Sequence, residues 1–183
     1  MLKTEPQLKY GRIERERRFL LERFPTVTVV RIRRITDCYI EGTTLRLRQM
    51  SEEGSSAIFK LTQKIPARAS GAQEALITTM YLTEDEFGVL ENLSAKSVGR
   101  TLSKTRHSVP PFGIDVFEGT LEGLLLAEAE FDSAAEAAAL ALPSFLGAEV
   151  SRDNRFTGGR LARASRQEVQ GWLLEYGIKL GSS

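Results

Sequence analysis

Residues 13–20, IERERRFL, carry Glu14, Glu16 and Arg18 at every second position. Side chains of a β-strand alternate between its faces, so the three charges project from one side of an extended segment. Read alone, such a run is equally well a solvated face or a charged helical stripe. The pattern recurs at Arg46 and Arg48, at Lys104 and Arg106, and at Glu128 and Glu130, each time in a segment whose other face is largely apolar or neutral. A chain that keeps building strands with charges on one side needs a fold that covers the apolar sides and gathers the charged ones.

The composition narrows the choice. With 183 residues, 42% hydrophobic and 27% charged, the chain reads as one soluble globular domain long enough for a real core. Its formal charge of +1 conceals 25 basic and 24 acidic residues, so no long-range field marks it as a generic nucleic-acid or membrane binder. Sparse aromatics also argue against a single-strand-binding surface, leaving only Arg31–Arg34 and their neighbours as a basic patch for nucleic acid. The single cysteine, Cys38, excludes an internal disulfide, and the single histidine, His107, excludes a His-rich metal site. Any metal must therefore sit on oxygen ligands. No apolar run approaches about 18 residues and the first ten lack a signal-peptide layout, so the expected compartment is the cytoplasm, with no membrane partner.

Along the chain, residues 1–10 read as a frayed lead-in and 12–21 as the key strand. The β-branched run 27–35 (VTVVRIRRI) is expected to be a second strand, with Arg31 and Arg33 on a solvated edge as the plainer alternative. Residues 37–48 predict a hairpin with arms at 39–41 and 44–48 and a turn centred on Gly42. A strand over 57–65 carries Lys60 opposite Phe59, a loop covers 66–73, and a further strand covers 74–81. Thr83 and Glu86 form a capping box that opens a helix reaching about residue 93. Strands follow over 100–109, ended by Pro110-Pro111, then over 112–117 and 124–132. Ser133 with Glu136 and Ser165 with Glu168 are two more capping boxes, opening helices over 135–142 and 166–176. The first of these, nearly free of charge, is expected to pack on an apolar surface; Gly177 stops the second.

About eight antiparallel strands, with helices only between or after them, fit an α+β chain whose sheet closes into a barrel with flanking helices. If the apolar faces point outward beneath the helices, the charged faces line the lumen. Glu14, Glu16, Asp115, Glu128 and Glu130 then share a cavity with Arg18, Arg46, Arg48, Lys60, Lys104 and Arg106. So many charges buried without a ligand would be costly. Clustered carboxylates favour hard cations such as Mg²⁺ or Mn²⁺, and grouped Arg and Lys favour phosphate. Both in one cavity point to a metal-bound polyphosphate. His107, of opposite parity to Lys104 and Arg106, is expected to be a surface or packing residue.

These residues resemble the CYTH domains, or triphosphate tunnel metalloenzymes, which include inorganic triphosphatases, thiamine triphosphatases and a class of adenylate cyclases. The family's E-x-E-x-K signature is similar to Glu14-Arg15-Glu16-Arg17-Arg18, with arginine in place of the lysine. In order along the chain follow Tyr39-Ile40, the pair Arg46/Arg48, the strand lysine Lys60, Lys104/Arg106, the segment from Asp115 to Gly119, Ala127 to Phe131, and EVSRDNR over 149–155, which adds Asp153. The match spans about residues 13–161; the acidic alternation often seen after the lysine strand is reduced to Glu74. The resemblance implies an eight-stranded tunnel in which Glu14, Glu16, Glu128 and Glu130, with Asp115 as ligand or support, hold Mg²⁺ or Mn²⁺. It implies that Arg46, Arg48, Lys60, Lys104 and Arg106 clamp phosphates, and that Glu14, Glu16, Arg18 and Tyr39 bear on catalysis. The expected reaction is hydrolysis of inorganic triphosphate to diphosphate and phosphate. Thiamine triphosphate, a nucleotide, or mere polyphosphate binding are the other readings, and assembly as a homodimer is left open.

Overall fold

The alternation in the key segment becomes β1 (Arg12–Leu20) of a closed antiparallel barrel, seen in a computed structural model that describes residues 9–67, 74–94 and 101–181. The other strands are β2 (Arg31–Tyr39), β3 (Leu45–Ser51), β4 (Ile58–Pro66), β5 (Glu74–Leu82), β6 (Thr101–Val109), β7 (Phe112–Phe117) and β8 (Leu125–Phe131). They run in the order β1-β5-β4-β3-β2-β6-β7-β8, and β8 pairs back onto β1 with Glu16 opposite Glu130 and Arg18 opposite Glu128. Closure removes every exposed edge. The expected α+β barrel with flanking helices is the fold observed.

Two parts of the chain cover much of the barrel's outer face. Phe19, Leu21, Phe112, Ile114, Ala127 and Ala129 pack outside β1, β7 and β8 beneath Leu140, Phe145 and Leu146. Across the barrel, α1 (Glu84–Ser94) covers β3 to β5, with Phe87 against Phe59 at a ring separation of 4.9 Å. The Thr83 hydroxyl accepts from the Glu86 amide at 3.2 Å while Glu86 accepts from the Thr83 amide at 2.8 Å, as the capping box predicts.

The inward face is charged over part of its length and apolar over the rest. Leu20, Leu102, Phe117 and Leu126 take inward positions and pack with Phe156, Leu161, Val169, Leu173 and Ile178 from the C-terminal segment. That segment contains a short 3₁₀ turn (Asn154–Phe156), a single-turn helix (Gly158–Leu161, α3) and the last helix (Arg166–Leu174, α4), which starts at the Ser165–Glu168 capping box. It is tied to β1 through the backbone: Val150 donates to the Arg18 carbonyl at 2.8 Å and Gly147 to the Leu20 carbonyl at 2.8 Å. A Cβ at Gly147 would stand 2.7 Å from that carbonyl oxygen, so the approach requires glycine.

Two expectations change. The second strand lies over Arg31–Tyr39 instead of 27–35, and it takes in Tyr39, the first residue of the predicted hairpin's first arm. Propensity favours the VTVV run, but β6 ends at Val109 and β3 at Ser51, so strand pairing stops at Arg31 opposite Ser108. The helix expected over 135–142 is only α2 (Ala134–Ala138), with no buried residue. Its apolar composition does not bring it into the core; Leu140, Phe145 and Leu146, in the chain that follows, do that packing. The expected loop over 66–73 lies mostly outside the described residues. Among the described residues no helix is long and apolar enough to cross a membrane.

Candidate active site

Inside the barrel lies a cavity of about 610 Å³ walled by Glu14, Glu16, Arg18, Tyr39, Arg46, Arg48, Lys64, Lys104, Arg106, Glu128 and Glu130 and roofed by Asn154 to Arg163. Its wall carries nine Arg and Lys side chains against five Glu, so the space itself is basic although the chain is nearly neutral. A groove of about 660 Å³ outside the barrel, between β1, α2 and residues 149–152, differs in kind. There Arg15 is held by Glu74 at 2.9 Å and Arg17 by Glu149 at 2.6 Å, so both arginines are already engaged by carboxylates.

Three charged groups organise the cavity. Asp37, 1% exposed, receives Arg48 through two hydrogen bonds, of 2.6 and 2.8 Å, and stands 3.5 Å from Arg46. Burial alone would raise its carboxyl, but Arg48 and Arg46 bring it down to about 2. The forked contact fixes the plane of the Arg48 guanidinium and so aims its remaining donors. Asp115, fully buried behind the wall, does the same for Arg106, with bonds of 2.6 and 2.7 Å, and also receives the Lys104 ammonium. Gly113 leaves the space in which the Arg106 chain lies, since a Cβ there would sit 3.0 Å from Arg106 Cδ. Arg106 goes on to contact Glu128. Burial would raise Glu128, but Lys104 and then Arg106 hold it well below the usual carboxylate range.

The third group is Glu14 with Glu16, bridged by Lys64 at 2.5 and 2.9 Å. Burial raises the Glu16 carboxyl; Lys64 and Arg18 oppose that shift, while Glu128 and Glu14 add to it. Burial likewise works against the Lys64 ammonium, but Glu16 and Glu14 outweigh it and raise the lysine. Arg18, 1% exposed, donates to the Phe156 carbonyl at 2.7 Å and lies 3.5 Å from Glu16. Tyr39 comes from the end of β2, and burial followed by the Asp37 charge pushes its phenol up, so it is a neutral donor at ordinary pH. Gly158 is pressed against it: a Cβ there would fall 2.0 Å from the Tyr39 hydroxyl.

The predicted residues are thus largely brought together. Glu14, Glu16, Arg18, Tyr39, Arg46, Arg48, Lys104, Arg106, Glu128 and Glu130 all line the cavity, Glu130 toward its open side with Arg12 at 3.8 Å. Asp115 supports two cations from behind and does not reach the space. Lys60 has inward parity and pairs with Arg48 in register, yet its ammonium lies over the Tyr81 ring at 4.9 Å, away from the cavity wall. Lys64, two steps of the same alternation further on, is the β4 lysine that reaches the cavity. Asp153 caps the 3₁₀ turn and holds Arg155 at 2.7 Å, so it acts through that arginine. Glu74 lines the cavity's edge and pairs outward with Arg15. His107 packs against Phe24 on the outer side, at a ring separation of 4.8 Å.

As the side chains stand, no three carboxylates among the described residues converge closely enough to hold a metal. Each is turned to a cation of the chain itself. The donor set nevertheless fits a hard ion: it is oxygen only, and the Lys64 ammonium between Glu14 and Glu16 is a stand-in cation held by two carboxylates.

The chain is 32% identical over 158 residues to the inorganic triphosphatase of Nitrosomonas europaea, a match spanning 81% of this chain and 96% of that one. Solved structures agree: the inorganic triphosphatase NE1496 superposes with a TM-score of 0.53 at 27% identity, covering 82% of this chain and 95% of that one. A second structure of NE1496, described as a hypothetical protein, gives 0.54 at 28%, covering 83% and 99%. No protein-family model matches the chain. A relative of this identity over nearly its whole length, on a barrel of the same kind with the motif residues gathered in its lumen, settles the kinship: the chain belongs to the inorganic triphosphatase family of CYTH-like proteins.

Proposed function

We propose that the chain hydrolyses inorganic triphosphate to diphosphate and phosphate inside the barrel, with Mg²⁺ or Mn²⁺. The observation that carries this reading is one cavity holding two orders of charge, a basic wall of Arg46, Arg48, Lys64, Lys104 and Arg106 and a carboxylate set of Glu14, Glu16 and Glu128. The first fits a chain of phosphates, the second the ion that travels with it.

In this reading Asp37 and Asp115 hold Arg48 and Arg106 in fixed orientations before substrate arrives, so little reorganisation is needed when charge shifts on the phosphate oxygens. Water attacks the terminal phosphorus, the bond to the bridging oxygen breaks, and orthophosphate and diphosphate leave. Glu14, Glu16 and Glu128 would hold a divalent cation, which would supply charge neutralisation and make a water more acidic. Lys64, no longer needed between Glu14 and Glu16, would then be available to phosphate. Arg18, a guanidinium with donors only, serves as a fixed donor beside Glu16. Tyr39, kept neutral, donates from its hydroxyl.

Phosphate release from tripolyphosphate, thiamine triphosphate and ATP, each with Mg²⁺, Mn²⁺ or EDTA, tests the reading. Turnover of tripolyphosphate above the other two and its loss in EDTA are expected. Turnover undiminished by EDTA contradicts the metal assignment; tight binding without turnover of any of the three contradicts the enzyme.

A further inference from the structure

Two glycines stand where the backbone gives no reason for them. Gly158 and Gly159 open α3, and neither has the positive φ found at Gly42, Gly54, Gly119, Gly123 and Gly177. Glycine is the poorest helix former after proline, so a Gly-Gly start weakens a single-turn helix. What the pair supplies is space, and Tyr39 fills it. A Cβ at Gly158 would overlap the Tyr39 hydroxyl and stand 3.1 Å from the ring carbon that bears it. A Cβ at Gly159 would meet only the side of the ring, 3.4 Å from Cδ1.

Such an overlap is relieved by whichever side yields, and the roof is the firmer one. Phe156 and Leu161, which flank the glycines in the chain, are each 1% exposed and belong to the apolar core. Arg18 donates to the Phe156 carbonyl at 2.7 Å, and Ala162 donates to the Gly158 carbonyl at 2.9 Å. Tyr39 ends β2 opposite Arg46 in the ladder, so its backbone is held as well and its side chain is the part that can swing. That swing would carry the phenol away from the Arg46 guanidinium, which donates to its oxygen.

Resting on the triphosphatase reading above, we infer that Gly158 is a positioning residue: it lets the roof close directly on Tyr39 and so holds the phenol and Arg46 in the orientation that meets phosphate. The glycine acts through the tyrosine, not on the substrate.

The test measures kcat and KM for tripolyphosphate with Mg²⁺ in the full chain, in Gly158→Ala, Gly159→Ala and Tyr39→Phe, and in the double variant Gly158→Ala/Tyr39→Phe. Gly158→Ala is expected to lower kcat/KM about tenfold, and Gly159→Ala to cost less. Tyr39→Phe removes the atom that the new Cβ would strike, so the double variant should fall within about twofold of Tyr39→Phe alone. A glycine that merely supported the fold would give losses that multiply. Multiplying losses, Gly158→Ala with wild-type kinetics, or Gly159→Ala costing as much as Gly158→Ala each overturn the inference and leave the triphosphatase reading in place. Should Gly158→Ala fail to fold, a folded double variant with the kinetics of Tyr39→Phe supports the inference, and a double variant that also fails to fold overturns it. A wild-type chain that does not cleave tripolyphosphate overturns the earlier reading and this one with it.

Discussion

Followed along their length, the inward faces of β1, β6, β7 and β8 change character. Glu14, Glu16 and Arg18 are followed by Leu20, Glu130 and Glu128 by Leu126, Arg106 and Lys104 by Leu102, and Asp115 by Phe117, all at the same period of two. One half of the barrel interior is therefore a charged cavity and the other an apolar core closed by the C-terminal segment. The two halves are stabilised differently. Removing Leu20, Leu126 and their neighbours from water favours folding in proportion to area. The charged half contributes little net stability, because each buried pair spends most of its attraction on lost hydration. It persists because the carboxylates there face cations, some of them shared as Lys64 and Arg106 are, and that same pairing holds the cations ready for phosphate.

The comparison is broken most severely at Asp115. Asp115→Asn leaves Lys104 and Arg106 as buried charges with half their partners, and breaking such a pair costs about 3–5 kcal/mol. Urea unfolding should show that loss. A change under about 1 kcal/mol would mean that the cations find water instead, and that the charged half is wetter than its burial indicates.

Glu14→Gln should separate the halves. It keeps shape at the edge of the cavity, so melting should move little, while kcat/KM for tripolyphosphate falls at least about a hundredfold and half-activation needs more Mg²⁺. Full activity would remove Glu14 from the metal set.

A smaller effect comes from pH. Asp37 has its carboxyl lowered from an ordinary 3.8 to about 2. A carboxyl depressed in the fold gives stability that is complete above the unfolded value and is lost as pH falls through the folded one. The pairing with Arg48 and Arg46 should thus contribute about 2 kcal/mol above pH 4, disappearing toward pH 2. Stability of Asp37→Asn should depend less steeply on pH in that window; equal slopes would show that other groups carry the acid limb.

Arg18 bears the mildest expectation. Arg18→Lys keeps the charge but gives up the guanidinium's reach to both Phe156 and Glu16, so turnover should fall about tenfold with the pH–rate profile unchanged. A new titrating limb near neutral pH would show that the identity of this residue sets the proton chemistry.

Much of the barrel is legible in the sequence because its charges alternate where a soluble sheet's inner face would be apolar. β1, β3, β6 and β8 fall where the alternation of their charges puts them, whereas β2, which carries Arg31 and Arg33 at the same spacing, lies further along the chain than expected. What parity alone could not decide is depth. Lys60, Thr62 and Lys64 share one face of β4, and only the register, with Lys64 opposite Ile77 and beside Glu14 and Glu16, decides which lysine reaches the cavity. Asp37 escaped for a related reason. It reads as the start of a hairpin until Arg48 is set directly across from it. The roof of the cavity, Asn154 to Arg163, carries no period at all, and its position follows from the backbone bonds that Gly147, Ala148 and Val150, just before it, make to β1 and that no local pattern announces.

The central claim is that triphosphate binds the charged half of the barrel, and melting with and without ligand tests it most directly. Saturating tripolyphosphate with Mg²⁺ should raise the melting temperature of the wild-type chain by linkage, by about 2.7 kcal/mol of stability at a hundred times Kd. The rise should persist in Leu126→Ala, whose own stability drops by about 2–5 kcal/mol, and should largely vanish in Lys64→Ala. A rise that survives Lys64→Ala but is lost in Leu126→Ala, or no rise in the wild type, would contradict the account.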